Sequence, residues 1–114
     1  MSDYRAITVK RVWAERIGNG SKMYEVRRFT TPYRGPLVIT ISGEKVAYCT
    51  VWLRNVFPSS DVAYGANLTP EELAFGKFAW LLLDAKRCEP VPCKGKLGLW
   101  HWDGELPRVL EMQS

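Results

Sequence analysis

The sequence predicts an α+β fold, a small β-barrel flanked by short helices. The length of 114 residues is typical of one domain, and a domain of this size buries roughly 65% of its unfolded surface around one core. Runs rich in β-branched and aromatic residues outnumber helical patterns, which favours a small barrel. No repeat, linker or low-complexity tract interrupts the chain. We therefore expect a single domain over residues 1–114.

The first predicted element is a short amphipathic helix over residues 10–17. "KRVWAERI" places Val12, Trp13 and Ile17 at helical spacing, and "GNG" ends the helix because Asn and Gly tolerate positive φ. Three strands follow in "KMYEVRRF", "GPLVITISG" and "KVAYCTVWLRNVF". The third is a long run of β-branched and aromatic residues and gives the strongest strand signal in the chain.

A second helix is predicted in "LTPEELAFG". Thr69 can cap this helix, with Pro70 as its first residue and Glu72 as its third, an arrangement that forms a capping box. The capping box accounts for Glu71 and Glu72 without invoking catalysis.

Two further strands complete the predicted barrel. "KFAWLLLDAKRCEPVP" reads as a strand that ends at its prolines. "KGKLGLWHW" reads as a last strand, with Trp100 and Trp102 on one face and His101 on the other. We expect the two indoles to pack in the core or at the end of the barrel.

Composition also restricts location and cofactors. "MSDYRAITVKR" carries charge throughout, unlike a signal peptide, and no apolar run approaches the ~20 residues that span a bilayer. A cytoplasmic protein with no membrane contact is expected. Cys49, Cys88 and Cys93 lack C-x-x-C spacing, and His101 is the only histidine. We therefore expect reduced thiols and neither a metal site nor a cofactor.

The net charge of +4 is unevenly distributed along the chain. Residues 1–34 contain eight Lys/Arg and three Asp/Glu, whereas residues 35–114 contain eight Lys/Arg and nine Asp/Glu. The positive field is thus expected from the N-terminal third. Such asymmetry suits a partner that carries phosphate groups.

The strand at residues 22–28 is unusually rich in charge for so small a domain. With a period of two, Met23, Glu25 and Arg27 share one face, and Glu25 and Arg27 are then about 7 Å apart, near enough to pair. If this face points inward, the pair marks a site, because buried charge is costly unless polar groups converge on it. The alternative is an exposed edge strand whose charges only oppose aggregation.

A longer segment, "VWAERIGNGSKMYEVRRFTTPYRGPLVIT", resembles the signature of the ASCH domain, a member of the PUA-like superfamily. The shared features are a "WA" helix, the motif G-x-K-x-x-E-x-R and then T-x-Y-R-G-P-L entering a strand. "FAWLLLDAKRCEPVPCKGKLGLWHW" is similar to the closing strands of bacterial and phage ASCH proteins. The resemblance covers roughly residues 7–103.

The resemblance implies a PUA-like β-barrel with a cleft lined by Gly20, Lys22, Glu25 and Arg27. The family is regarded as associated with RNA or other nucleic acids, and some members are ribonucleases. One branch removes the acyl group from N4-acetylcytidine with a Lys, a Thr and a downstream Glu. Lys22 matches that Lys, but Glu25 occupies the position of the Thr.

Each candidate residue also has a structural interpretation. Lys22 is either a phosphate contact, an activated amine or a solvated lysine at the strand start. Arg27 and Arg34 can clamp a phosphate, although Arg27 can also simply neutralise Glu25. Tyr33 and Trp13 can stack on a base or belong to the core.

These residues predict a protein that binds RNA or a modified nucleotide in a basic cleft centred on Lys22, Glu25 and Arg27. A second hypothesis is a metal-independent ribonuclease or nucleotide-modifying hydrolase in which Lys22 and Glu25 act as general acid and base. A third is a protein-interaction module whose surface is aromatic. The oligomeric state is expected to be a monomer or a weak dimer.

Overall fold

The computed structural model describes residues 3–62 and 68–110, and within them six strands form one sheet that carries three short helices. The strands are β1 (Arg5–Val9), β2 (Tyr24–Arg27), β3 (Gly35–Ile41), β4 (Ala47–Pro58), β5 (Phe78–Arg87) and β6 (Trp100–His101). The helices are α1 (Arg11–Gly18), α2 (Ser59–Val62) and α3 (Pro70–Phe75). The strand order is β2-β5-β4-β3-β1-β6.

Strand β1 corrects the prediction that the chain begins with a helix. It lies between β3 and β6, parallel to β3 and antiparallel to β6, and Ala6 and Ile7 are wholly buried. A strand that is paired on both edges and covered on both faces lacks the alternation of apolar and polar residues. The periodicity of its sequence therefore gives only a weak signal for a strand. The predicted helix follows as α1, and the next three predicted strands are β2, β3 and β4.

The sheet curls into a half-barrel, as the sequence led us to expect for the fold. Three strands separate β2 from β1 in the sheet order, yet the Arg27 Nη1 atom donates to the Thr8 carbonyl oxygen at 3.4 Å. Ile7, Leu53 and Trp80 lie in the core that the curled sheet encloses. The space between β1 and β2 is the seam at which the barrel stays open.

The C-terminal elements follow the sequence prediction in part. Strand β5 is present, but the last strand shrinks to the two residues of β6. Trp100 and Trp102 are buried and His101 is exposed, as the alternation predicts. None of the helices in the described ranges is long and apolar enough to cross a membrane.

Helix α3 packs tightly against the edge strand β2. The predicted capping box is present: Thr69 accepts from the Glu72 backbone N–H, and the Glu72 side chain accepts from the Thr69 N–H at 3.2 Å. At Gly76, the residue after α3, a Cβ atom would lie 2.4 Å from the Val26 Cγ1 atom and 2.8 Å from the Arg27 carbonyl oxygen. The absence of a side chain at Gly76 therefore lets α3 form one wall of the seam.

Candidate functional site

A cleft of about 350 Å³ lies in the seam, where the parallel strands β1 and β3 end. Its walls come from four segments: the end of β1 with the first turn of α1, strand β2, the residue that follows β3, and the start of α3. The lining residues are Thr8, Val9, Lys10, Trp13, Glu25, Val26, Arg27, Ser42, Glu71 and Glu72. Because four separate segments meet here, the cleft forms only when the sheet is curled.

The buried pair of Glu25 and Arg27 forms the wall that β2 contributes. The Glu25 residue is only 7% exposed, and its Oε2 atom accepts from the Arg27 Nη1 atom at 3.1 Å. Burial raises the pKa of the Glu25 carboxyl, while the Arg27 and Lys22 charges oppose the rise. The inward face is thus the one that carries Glu25 and Arg27, although β2 is also an edge strand.

A second ion pair joins Lys22 to Glu72, with side chains that are 9% and 13% exposed. The Lys22 Nζ atom also lies 4.9 Å from the centre of the Trp13 ring. Burial alone would raise the pKa of Glu72, but hydrogen bonds from Lys22 and from the Thr69 backbone lower it below the ordinary carboxyl value. Glu72 therefore both caps α3 and holds α3 against the segment before β2.

Glu72 was assigned only a capping role from the sequence. The capping box explained its position completely, and its partner lies 50 residues away in the chain. Glu71 also lines the cleft. No local pattern in the sequence predicts that Glu71 and Glu72 line the cleft, because their positions depend on how α3 packs on β2.

The charges that line the cleft are mixed and not predominantly basic. Lys10 and Arg27 are the cations, and Glu25, Glu71 and Glu72 are the carboxylates, among the described lining residues. Lys22 borders the neighbouring cavity of about 120 Å³, which shares Trp13 and Glu72 with the cleft. The arrangement suits a ligand that offers both donors and acceptors.

Tyr33 and Arg34, which the sequence predicts to bind nucleic acid, lie outside this cleft. Both precede β3, whereas the cleft lies beyond its other end. The Tyr33 hydroxyl donates to the Pro36 carbonyl, and Arg34 donates to the Thr31 and Tyr33 carbonyls at 2.7 Å each. The Y-R-G-P segment is a corner that starts β3, and Gly35 adopts the φ of +139° which this corner needs.

Gly20 and Trp13 frame the approach to Lys22. Gly20 has a φ of +83° in an exposed turn, and the Lys22 backbone N–H donates to the Arg16 carbonyl at 2.9 Å. This turn directs the Lys22 side chain towards α1 and α3. Trp13 packs partly on the core and lines the cleft as well, so the two interpretations of this residue both apply.

Two of the three cysteine thiols are buried, and the possible metal ligands of the described residues do not cluster. Residues 3–62 and 68–110 contain no group of three or more His, Cys, Asp or Glu side chains that could hold a metal ion. Burial raises the pKa of the Cys49 thiol to about 12 and that of Cys88 to about 11. These two thiols are therefore poor nucleophiles near neutral pH.

The chain is similar in structure to ASCH from Zymomonas mobilis, in its wild-type form and in two mutant proteins. The TM-scores are 0.70, 0.72 and 0.73, with sequence identities of 18%, 16% and 16%. The matches cover 89–90% of this chain and 89–92% of the other chains. No protein-family model and no curated protein sequence matches this chain. The structural matches show that the chain has the fold of ASCH proteins, as the resemblance of its sequence predicts.

Proposed function

We propose that the chain is one ASCH-type domain, residues 1–114, that binds RNA or a modified nucleotide in the seam cleft. The observation that carries this proposal is that two partly buried ion pairs lie side by side: Glu25–Arg27 lines the cleft, and Lys22–Glu72 lines the adjoining cavity, with Glu72 on the walls of both. Buried ion pairs are often no more stabilising than apolar residues of similar size. Their presence at a cavity favours a role in recognising a ligand.

The cleft offers the contacts that a nucleobase requires. Its volume of about 350 Å³ lies in the range of roughly 300–1,000 Å³ that is common for small-ligand sites. Trp13 lines the cleft, and a base can stack on the part of its ring that the Arg16 and Lys22 cations, 5.3 and 4.9 Å from the ring centre, leave uncovered. The Glu25 carboxyl group would hydrogen-bond a base edge, and Arg27 and Lys10 would supply donors for base acceptors or phosphate. This combination supports recognition of a base in a single strand.

A second candidate function is hydrolysis of RNA or of a modified nucleotide. Burial raises the pKa of Glu25, and a shift in this direction favours the protonated form that a general acid needs. Lys22, the other proposed catalytic residue, donates to Glu72 and faces Trp13. The position of Lys22 supports an electrostatic role beside Glu25 better than attack on a substrate.

Retention and cleavage of a mixed pool of single-stranded RNA, assayed together in EDTA, test these functions. We expect the wild type to retain RNA, and Glu25→Gln to weaken retention about ten- to a hundredfold, the effect of one hydrogen bond to a charged group. Arg54→Ala removes an exposed charge outside the cleft and serves as the control. Unfolding curves must show that both variants are folded.

The outcomes separate the two functions. Cleavage by the wild type that falls about 10²–10⁴-fold in Glu25→Gln, while retention persists, would establish the hydrolase. If the folded wild type neither retains nor cleaves RNA, both functions are contradicted. A protein-interaction role, the third hypothesis, would then become the leading one.

A further inference from the structure

A second cavity adjoins the cleft and has a different electrostatic character. It has a volume of about 230 Å³ and shares Thr8, Arg27 and Ser42 with the cleft. The remaining walls come from the turn between β3 and β4 and from the loop at residues 94–98. We call this cavity the lysine groove; its cations are Arg27, Lys45, Lys94 and Lys96.

The lysine groove has no carboxylate among its described lining residues. No ion pair within residues 3–62 and 68–110 engages Lys45, Lys94 or Lys96. Glu44 is next to Lys45 in sequence, but its carboxylate accepts two hydrogen bonds from Arg11. The three lysines therefore present positive charge that the nearby acidic residues do not neutralise, which attracts an anion.

The two segments that carry these lysines are fixed to each other and to β1. The Cys93 backbone N–H donates to the Lys45 carbonyl at 2.9 Å, and the Thr8 hydroxyl donates to the Lys96 carbonyl at 3.0 Å. Lys45 itself has a φ of +55°, a conformation that residues other than glycine rarely adopt. The backbone positions from which the lysines extend are thus set before a ligand arrives.

Apolar groups accompany the charges at this end of the seam. Phe29 is 36% exposed, and the Arg27 guanidinium lies 5.9 Å from the centre of its ring. A Cβ atom at Gly98 would lie 3.9 Å from the Phe29 Cζ atom, so the ring is adjacent to the loop. A positively charged groove beside an exposed aromatic ring is typical of surfaces that bind single-stranded nucleic acid without reading its sequence.

We propose that the lysine groove holds the sugar-phosphate backbone of a single RNA strand, one base of which occupies the cleft while a neighbouring base stacks on Phe29. This inference rests on the proposed function and narrows it. Arg27 lines both cavities and would contact the phosphate at their junction. The ligand is accordingly a strand of several nucleotides, and a free nucleoside would fill only the cleft.

The test compares two double variants that each remove two positive charges. Lys94→Ala/Lys96→Ala changes the groove, and Arg54→Ala/Lys86→Ala changes exposed residues that line neither cavity. The affinity for a labelled single-stranded RNA 12-mer is measured at several salt concentrations. Each phosphate contact contributes about −0.7 to the log–log salt slope on a single strand. We expect the groove variant to bind more weakly, with a slope shallower by about 1.4, and the control variant to keep the wild-type slope.

Several results would overturn the inference. If the groove variant and the control variant change the slope equally, the lysines act only through net charge. Suppose that the wild type binds the 12-mer, that Glu25→Gln weakens this binding, and that the groove variant keeps the affinity and salt slope of the wild type. In that case the proposed function stands and the assignment of the groove is wrong. If the wild type does not bind the 12-mer at all, both fail. A mixture of mononucleosides that binds as tightly as the 12-mer would also contradict the inference.

Discussion

Lys22→Met tests the ion pair that attaches α3 to the segment before β2. The substitution keeps most of the side-chain volume and leaves the Glu72 carboxylate partly buried without its cation. Removal of one partner from a buried pair costs about 3–5 kcal/mol. Glu72 still accepts the Thr69 N–H at 3.2 Å, and its side chain is 13% exposed. We therefore expect unfolding in urea at pH 7 to show a loss of about 2–3 kcal/mol.

A double-mutant cycle separates the ion pair from the capping box. Glu72→Gln removes the charge but keeps a side chain that can complete the capping box. We expect the double variant Lys22→Met/Glu72→Gln to be more stable than the sum of the single effects implies, with an interaction energy of at least about 1 kcal/mol. If the single effects add to within about 0.5 kcal/mol, the two side chains do not stabilise each other and the reasoning is refuted.

The pH dependence of this interaction provides a second check. Hydrogen bonds lower the pKa of Glu72 in the folded state, so its contribution is present above the ordinary value of 4.5 and is lost as the pH falls through the lowered pKa. The interaction energy from the cycle should consequently decrease in acid. An interaction energy that stays constant down to the acid unfolding transition would show that charge is not its source.

Gly76→Ala should lower the free energy of unfolding by about 1–3 kcal/mol, because its methyl group would lie 2.4 Å from the Val26 Cγ1 atom; an unchanged urea midpoint would contradict the packing described here. Thr69→Ala should lower the free energy of unfolding by about 1 kcal/mol in the same assay, since α3 loses its side-chain cap. Thr69→Ser keeps the capping hydroxyl and should keep most of that stability. Burial raises the pKa of Glu25, so stability should fall as the pH rises from 4.5 through that raised value. Glu25→Gln should remove this decrease in the free energy of unfolding. If the variant keeps the pH dependence of the wild type, Glu25 is not the group responsible.

Local patterns in the sequence were enough to predict most of the elements and one half of the site. The alternation in residues 22–28 indicated the shared face of Glu25 and Arg27, and the T-P-E-E pattern indicated the cap of α3. The strand β1 was missed because its five residues are covered on both sides and lack a clear period. Without β1, the sequence could not predict the parallel pairing of β1 with β3, and the cleft lies at the end of that pair.

The remaining site residues come together only through tertiary structure. Lys22 and Glu72 are 50 residues apart, and Lys45 meets the loop that carries Lys94 through a backbone hydrogen bond. The charge count along the chain pointed to the N-terminal third. In the fold, however, several of those cations are neutralised by carboxylates, and the groove with excess positive charge is built mainly from later residues.

The contact between Thr8 and Arg27 bears on how this protein can be redesigned. These residues are 19 positions apart in sequence, although three strands separate them in the sheet. The stretch between them also contributes Lys10, Trp13 and Glu25 to the cleft. Most of the cleft lining is therefore encoded in one short contiguous segment, whereas most of the lysine groove comes from residues 41–45 and 94–98. Exchange of residues 8–27 between proteins of this fold should therefore transfer the preference for the base in the cleft and leave the contacts of the lysine groove unchanged.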